Sequence, residues 1–402
     1  MTRTVTRWVD GPVPLLDHRP DHVWLGPDLQ LVGWGEAIRI AAGYGPERFD
    51  HGRAAVREWA ADVEVDDEVG GPGSGPVAFA SFTFDPRSPG SVVIVPEITF
   101  GAREDGSFVT TVDGASYGHL LHPSGTGEGT VDRPRYAGGS IPDVHWMEAV
   151  AEAVAEIARG PLEKVVLARD FAVWSKVPFD SRVLLERLHH RFPECLTFLV
   201  DGLVGASPEL LVRKTGTRVE SVALAGSARR GSDADEDERY GRALLASDKD
   251  RREHEMAALT VETALGEISR RIVRDAEPSL LRLANVQHLA TRFRGSLDEG
   301  VSIIEAVARL HPTAAVGGWP IDAALDAIRR LEGMDRGRYA GPVGWFDMRD
   351  DGEFAIALRC AELSGARARL FAGAGIVRGS LPETELEETR LKLRAMLDAL
   401  EG

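Results

Sequence analysis

The chain has 402 residues, a formal net charge of −16 at pH 7 and 43% hydrophobic residues, which is typical of a globular protein with a large core. The negative charge, the low aromatic content and the lack of a basic stripe argue against nucleic acid as a partner. No apolar run is long enough to cross a bilayer, and the first residues carry no secretion signal, so we expect a cytoplasmic protein without a membrane anchor. Two cysteines, Cys195 and Cys360, make no disulfide framework.

The first third of the chain, residues 1–140, has the pattern of strands and turns with little helix. Two β-rich runs lie at 77–84 and 91–100. The segment LVGWGEAIRIAAG at 31–43 predicts a short strand followed by a helix. We find no group of catalytic residues in this part of the chain.

A helix predicted from Asp143 ends at a Gly-Pro pair, and a strand is predicted at 163–169. Strand alternation puts Lys164 on one face with Val166 and Ala168. Such a lysine can lie at a sheet edge, where it prevents aggregation. If it instead faces a cavity, loss of water favours its neutral amine and makes Lys164 a candidate general base.

A hairpin is predicted from strands at 210–213 and 218–224, joined by Lys-Thr-Gly-Thr. Glu209 stands at its entrance, where a carboxylate is often only a polar end residue. The second strand leaves through a turn of small residues at 225–228, which includes Gly226. At such a turn the backbone can approach a ligand closely.

One long helix is predicted over about 239–271, with a buried stripe that includes Ala257, Val261 and Leu265. Extending that stripe back by one turn reaches Glu253. An inward carboxylate needs a partner, which could be a divalent cation with a preference for oxygen ligands, such as Mg²⁺. The alternative is an arginine of the same helix.

Near the C-terminus, a hairpin around Asp-Asp-Gly at 350–352 predicts a strand on which Arg359 shares a face with Ala355 and Ala357. Small neighbours leave room for a ligand, and the guanidinium suits a carboxylate or phosphate. The alternative is an exposed arginine at the end of a strand.

The final helix is predicted to begin near residue 381, with Ser380 and Glu383 as a capping box. Glu385, Glu388 and Lys392 follow along the margin of its buried stripe. They could form a ligand site or an ordinary charged face with a Glu388–Lys392 ion pair. The preceding AGAG at 372–375 lacks the last glycine of a dinucleotide fingerprint, so nucleotide binding is weakly supported.

Taken together, these segments resemble the chorismate-utilising enzymes, and among them the isochorismate synthases. The resemblance is strong over about 140–400 and general over the first third. It is carried by nine ordered blocks: KVVLAR (164–169), SPELLVRK (207–214), LAGSARRG (224–231), SDKDRREHEM (247–256), VQHLATRFRG (286–295), LHPTAAVGGWP (310–320), RYAGPVGWFD (338–347), FAIALRCAEL (354–363), and AGAGIV with the terminal ELEETRLK.

The resemblance implies one large α+β domain in which two antiparallel β-sheets pack face to face with helices outside. Within it, residues 1–140 would form an N-terminal β-rich half and 141–402 the chorismate-binding catalytic region. Lys164 would be the general base that activates water, and Glu209 the general acid that protonates the departing hydroxyl. Glu253 and Glu388 would hold Mg²⁺, with Glu385 supporting them.

The same resemblance implies that Arg359 and Lys392 grip the substrate, chorismate. Further residues would line the site: Gly226, His288, Ala315, Tyr339 and Gly373.

Relatives of this family differ in their products. Anthranilate-forming relatives lack the lysine base and use ammonia from a glutaminase partner, so Lys164 implies water as the nucleophile and no glutaminase subunit. Salicylate synthases share the lysine but eliminate pyruvate, and they tend to carry threonine where this chain has Ala315. Ala314, where the family often has proline, departs from the pattern and weakens the argument for the product.

We therefore expect a Mg²⁺-dependent isochorismate synthase that acts as a monomer. The segment 31–39 favours menaquinone biosynthesis, with a siderophore pathway or a salicylate synthase as the alternatives. A non-catalytic binding protein would be indicated by loss of Lys164 or Glu209, and both are present.

Overall fold

The structure, a computed structural model, describes residues 2–11, 13, 16–122 and 134–402. These residues form 23 strands, eight α-helices and one short 3-10 helix at Gly118–Leu121. None of the helices within the described ranges is long and apolar enough to cross a membrane.

The N-terminal part is rich in strands because it consists of short runs of Val, Ile, Phe and Thr separated by Gly and Pro. Its elements are β1 (Thr2–Val9), β2 (His22–Leu25), β3 (Leu29–Trp34), β4 (Ile38–Ala41), α1 (Arg48–Ala61), β5 (Val63–Asp67), β6 (Val77–Ser81), β7 (Val92–Val95), β8 (Ile98–Arg103), β9 (Gly106–Val112) and β10 (Arg135–Gly138).

The remainder alternates helices with long strands. Its elements are α2 (Asp143–Arg159), β11 (Lys164–Trp174), α3 (Ser181–Arg191), β12 (Leu196–Val200), β13 (Leu203–Ser207), β14 (Leu210–Thr215), β15 (Arg218–Arg229), α4 (Ala234–Ala246), α5 (Asp248–Gly266), β16 (Ser269–Arg274), β17 (Ser279–Arg282), β18 (Val286–Leu297), α6 (Ile303–Leu310), β19 (Gly318–Trp319), α7 (Ile321–Leu331), β20 (Pro342–Asp347), β21 (Gly352–Ile356), β22 (Cys360–Ser364), β23 (Arg367–Val377) and α8 (Pro382–Glu401).

The strands form two large sheets. The first has thirteen strands in the order β10-β11-β23-β22-β13-β12-β2-β3-β8-β9-β1-β5, with β19 beside β11. The second has ten in the order β16-β18-β15-β14-β21-β20-β6-β7-β4, with β17 beside β18. The strand pairs are antiparallel except β1 with β5. The predicted α+β class with two antiparallel sheets is thus confirmed.

A shared hydrophobic core joins the sheets. Trp24 and Phe198 of the first sheet and Phe79 and Phe354 of the second are buried in the same cluster. Burial of one such aromatic side chain contributes about 2 to 3 kcal/mol. Each sheet contains strands from both sides of residue 140, so neither is built from one part of the chain alone.

The helix predicted within 31–43 is wrong. The segment forms the two strands β3 and β4, separated by Gly35 with φ 69°. The backbone of β4 pairs with β7, and Ile38 and Ile40 lie on its more buried face, as strand alternation requires. The helix of this region begins later, at Arg48.

The long helix predicted over 239–271 is also wrong. The chain forms α4 and α5, which are separated at Ser247, whose side chain accepts a hydrogen bond from the Asp250 amide and caps α5. Beyond α5, Ser269–Arg274 is strand β16 and not helix, because its backbone pairs with β18. The break falls in the polar run ASDKDRREHE at 246–255, which has no large apolar residue to continue a buried stripe, and Ser247 caps the next helix there.

Candidate active site

A cavity of about 310 Å³ lies among β11, β23, β15, β18, α5 and α8. A volume of this size suits a small organic ligand. All twelve residues singled out from the sequence line it: Lys164, Glu209, Gly226, Glu253, His288, Ala315, Tyr339, Arg359, Gly373, Glu385, Glu388 and Lys392.

Lys164 is the first residue of β11, and its side chain is only 1% exposed. Its Nζ lies 3.0 Å from Oε1 of Glu253 on α5. Burial raises the pKa of Glu253, but its contact with Lys164, together with Lys392 and Lys249, more than offsets this, so the pKa of Glu253 lies below its usual value. Both alternatives considered from the sequence are therefore wrong: Lys164 is not an exposed edge lysine, and the partner of Glu253 is not an arginine of its own helix.

Glu209 lies in the short connection from β13 to β14, where the chain passes from the first sheet to the second. Its backbone is held by two hydrogen bonds, from the Ile356 amide to its carbonyl (3.1 Å) and from its amide to the Ser207 hydroxyl (3.2 Å). Burial raises the pKa of Glu209 to about 8, although Lys164 and Lys392 lower it. Glu209 is thus mostly protonated at neutral pH and can donate a proton.

Arg359 lies in the connection from β21 to β22, where the chain returns to the first sheet. The strand predicted to carry it is wrong, since β21 ends at Ile356 and Arg359 has φ 47°. This left-handed conformation breaks the alternation expected from the sequence. Its Nη1 is buried without a hydrogen-bond partner among the described residues, as expected of a donor that awaits an anionic ligand.

His288 on β18 holds the other end of this guanidinium. Its Nε2 lies 3.1 Å from Nη2 of Arg359, and its Nδ1 lies 3.0 Å from the Ser227 hydroxyl. Burial and the charge of Arg359 lower the pKa of His288 to about 3, so the ring is neutral. Because the guanidinium only donates, Nε2 accepts and Nδ1 carries the proton.

Helix α8 brings three charged side chains to the cavity. Lys392 donates to the Gly373 carbonyl at 2.9 Å and lies 2.7 Å from Glu388 Oε1. Burial raises the pKa of Glu385; a hydrogen bond with Ser380 lowers it, and the carboxylates of Glu388 and Glu253 raise it.

The predicted capping box is wrong. The residue before α8 is Leu381, which has no side-chain capping bond. The Ser380 hydroxyl instead accepts from the Val377 amide at 3.2 Å and bonds Glu385. Ser380 therefore supports the carboxylate cluster and not the helix end.

The three carboxylates fit a magnesium site by their chemistry. Among the described residues, no three His, Cys, Asp or Glu side chains are grouped closely enough to form a metal centre alone. Mg²⁺, however, usually takes only one or two protein carboxylates and fills its shell with water and substrate oxygens. Glu253, Glu385 and Glu388 provide such oxygens, and their mutual repulsion, visible at Glu385, is what a cation would relieve.

The uncharged wall combines small residues with one aromatic pair. Gly226, with φ 72°, forms a bulge in β15. Tyr339 stacks on Phe371 with ring centroids 5.0 Å apart, and a Cβ at Gly373 would lie 3.2 Å from the Tyr339 hydroxyl. Ala315 lines the cavity from the loop between α6 and β19.

Sequence reasoning missed other residues of this cavity, among them Arg336, Phe371 and Gly375. Phe371 and Gly375 could have been found, because they alternate with Gly373 on one strand and so share its face. Arg336 stands four residues after Glu332, which could have indicated a pair, but nothing local shows that both are buried.

Comparisons with known proteins agree on one family. The family described as chorismate binding enzyme matches residues 131–401. The salicylate biosynthesis isochorismate synthase of Pseudomonas aeruginosa is 36% identical over 435 residues, which cover 98% of this chain and 86% of that protein. The isochorismate synthase MenF of Bacillus subtilis is 33% identical over 414 residues, which cover 94% of this chain and 87% of that protein.

A solved structure is similar over the whole chain. The menaquinone-specific isochorismate synthase MenF from Escherichia coli has a TM-score of 0.82 and 26% sequence identity. The match covers 100% of this chain and 95% of that one.

Proposed function

The chain belongs to the family of chorismate-binding enzymes, and on that premise we propose that it is an isochorismate synthase, an isomerase that converts chorismate to isochorismate. One observation carries the proposal: a buried lysine, Lys164, and a buried glutamic acid, Glu209, line the same cavity. The relatives named above are themselves isochorismate synthases.

The reaction needs a base and an acid. Lys164, with its amine neutral, would take a proton from water as the water oxygen attacks C2 of the ring, and the ring double bonds shift as the C4 hydroxyl departs. Glu209, protonated at neutral pH, would donate a proton to that hydroxyl, which leaves as water. One water is consumed and one is released, so the product is an isomer of the substrate.

Chorismate carries two carboxylates, and the cavity contains cations to receive them. The unpartnered Nη1 of Arg359 would bind one carboxylate, with His288 holding the guanidinium in place. Lys392, fixed by Gly373 and Glu388, would provide a second cation. Tyr339, Gly226 and Gly373 would line the space for the ring.

We propose Mg²⁺ as the cofactor, held by Glu253 and Glu388 with Glu385 in support. When bound, it would offset the negative charge of these carboxylates and polarise the ring carboxylate of the substrate. Carboxylate oxygens suit this ion, and all three carboxylates line the cavity.

Ala315 and Lys164 support isochorismate as the released product. Lys164 favours water over ammonia, so the proposal includes no glutaminase subunit, and the protein would act as a cytoplasmic monomer. The similar proteins named above include both salicylate and menaquinone types, and we propose menaquinone biosynthesis, with a siderophore pathway as the alternative.

The deciding experiment incubates the purified protein with chorismate and Mg²⁺, with and without ammonium, and separates the products by chromatography. Isochorismate alone, unaffected by ammonium, would support the proposal. Salicylate with pyruvate would contradict the role of Ala315, and an ammonium-dependent amino product would contradict that of Lys164.

A further inference from the structure

We propose that the buried Glu332–Arg336 pair is a positioning element that sets the strand carrying Lys164 against the loop carrying Ala315. The predicted effect on kcat rests on the proposed function, whereas the predicted effect on amide hydrogen exchange can be measured independently.

On the side away from β23, strand β11 changes partner along its length. At its start, Lys164 and Val165 pair with β19, and the Val166 amide donates to the Gly317 carbonyl at 3.0 Å. Toward its end, from Ala172 onward, β11 pairs with β10. Between these two short strands, side chains provide the hydrogen bonds.

Arg336 and Glu332 bond the backbone of β11 in this gap. Arg336 Nη2 donates to the Val166 carbonyl at 2.7 Å, and Glu332 Oε1 accepts from the Ala168 amide at 2.8 Å. The Trp146 indole donates to the Ala168 carbonyl at 3.1 Å. Three buried side chains thus occupy the place of a neighbouring strand.

The same guanidinium also holds the loop. Arg336 Nη1 donates to the Val316 carbonyl at 2.9 Å, and Nε donates to Glu332 Oε2 at 2.9 Å. Val316 adjoins Ala315, and Val166 lies two residues from Lys164 on one face of β11. One planar group therefore fixes the separation between the proposed base and the loop that faces it.

Stability alone does not explain this buried ion pair, because removing two charges from water costs free energy. Arg336 is 3% exposed and Glu332 is 1% exposed, and apolar residues often replace such buried pairs without loss of stability. Although Arg336 lines the cavity, both of its terminal nitrogens bond protein atoms. We therefore assign it to positioning and not to substrate binding.

The test uses Arg336→Lys, which keeps the charge but cannot reach both carbonyls, and Glu332→Gln as a second variant. The control is Arg213→Lys, because Arg213 bonds the buried Glu353 at 2.8 Å and neither residue lines the cavity. The measurements are kcat and KM for chorismate, the unfolding midpoint, and amide hydrogen exchange of peptides that cover 164–170 and 312–318.

We expect kcat of Arg336→Lys to fall about tenfold to a hundredfold, because small misplacements of catalytic groups have effects of this size. KM should stay within about threefold, since Arg359 and Lys392 are not displaced. Exchange in 164–170 and 312–318 should become faster in both variants. Arg213→Lys should keep kcat within about twofold at a similar loss of stability.

The inference is overturned if both exchange and kcat of Arg336→Lys match the wild type, or if Arg213→Lys loses kcat equally. If the wild-type protein does not convert chorismate, the proposed function fails, and hydrogen exchange alone decides the positioning role. If Arg336→Lys does not fold, Glu332→Gln decides by the same measurements.

Discussion

Lys164 and Glu253 form an ion pair, with Nζ 3.0 Å from Oε1, that joins β11 to α5 inside the cavity. The pair connects the proposed general base to a proposed ligand of Mg²⁺. Lys164 thus donates a hydrogen bond to the Glu253 carboxylate. Replacing each residue in turn, with catalysis and Mg²⁺ binding measured separately, should distinguish the proposed base from the proposed metal ligand.

Replacement of Lys164 by alanine should abolish turnover and leave chorismate binding largely intact. Loss of a general base lowers kcat by about 10²-fold to 10⁴-fold, whereas Arg359 and Lys392 remain to bind the substrate. Steady-state kinetics and calorimetric titration with chorismate measure the two effects. Lys249→Ala is the control, because Lys249 is an exposed lysine at the same cavity. A Lys164→Ala enzyme with wild-type kcat would disprove the base assignment.

Replacement of Glu253 by glutamine should remove the response to Mg²⁺ together with activity. The amide keeps the size of the side chain but lacks the charge that a hard cation prefers. Calorimetric titration with MgCl₂ reports metal binding apart from catalysis. The matched control is Glu255→Gln, since Glu255 lies on the same helix but is exposed and paired with Arg274. Full activity of Glu253→Gln without added metal would contradict the ligand role.

The rate should fall as the pH rises through about 8. Burial raises the pKa of Glu209 to about 8, so the group is a proton donor below this pH and loses its proton above it. The decline should approach about tenfold for each further pH unit. Glu209→Gln should be nearly inactive and lack this alkaline limb. A flat profile between pH 7 and 9.5 would show that Glu209 is not the acid.

Periodicity alone indicated several inward side chains. Strand alternation put Lys164 with Val166 on one face, and both line the cavity; the apolar stripe of α5 led back to Glu253. These patterns are local, so the sequence carries them directly. The pairing of Lys164 with Glu253 is not local, and no spacing rule connects two residues on different elements.

Other features depended on backbone conformation or tertiary burial. Arg359 adopts φ 47°, which a non-glycine residue takes only when its surroundings impose it. Ser380 was a reasonable cap by spacing, but the nearby Glu385 and Val377 compete for its hydroxyl. Ser247 separates two helices within a polar run at 246–255 that is rich in helix-forming residues, so composition alone did not show the break.

Replacement of Ala315 by threonine should introduce pyruvate release. Ala315 lines the cavity on the loop that approaches Lys164 through β19, and a hydroxyl there would add a polar group beside the substrate. A coupled lactate dehydrogenase assay measures pyruvate, and chromatography measures salicylate. We expect a product mixture with isochorismate still present. Pyruvate at the wild-type level would show that Ala315 does not determine the product.

Replacement of Gly375 by alanine should reduce kcat with little loss of stability. A Cβ at Gly375 would lie 2.8 Å from Glu253 Oε1 and 3.2 Å from Lys164 Cε. The carboxylate is the end of a flexible side chain, so it can move aside at low cost to the fold, but the Lys164–Glu253 contact would open. A displacement of about 1 Å lowers rates by about 10²-fold.

The control for this change is Gly266→Ala at the end of α5, where nothing lies within 4 Å of the added Cβ. It should leave kcat unchanged and the unfolding midpoint equal or higher, because alanine favours helix over glycine by about 1 kcal/mol. Steady-state kinetics should thus show a lower kcat for Gly375→Ala only, and thermal unfolding should show an equal or higher midpoint for Gly266→Ala. If Gly375→Ala kept wild-type kcat, the close approach of Lys164 and Glu253 would not be needed for turnover.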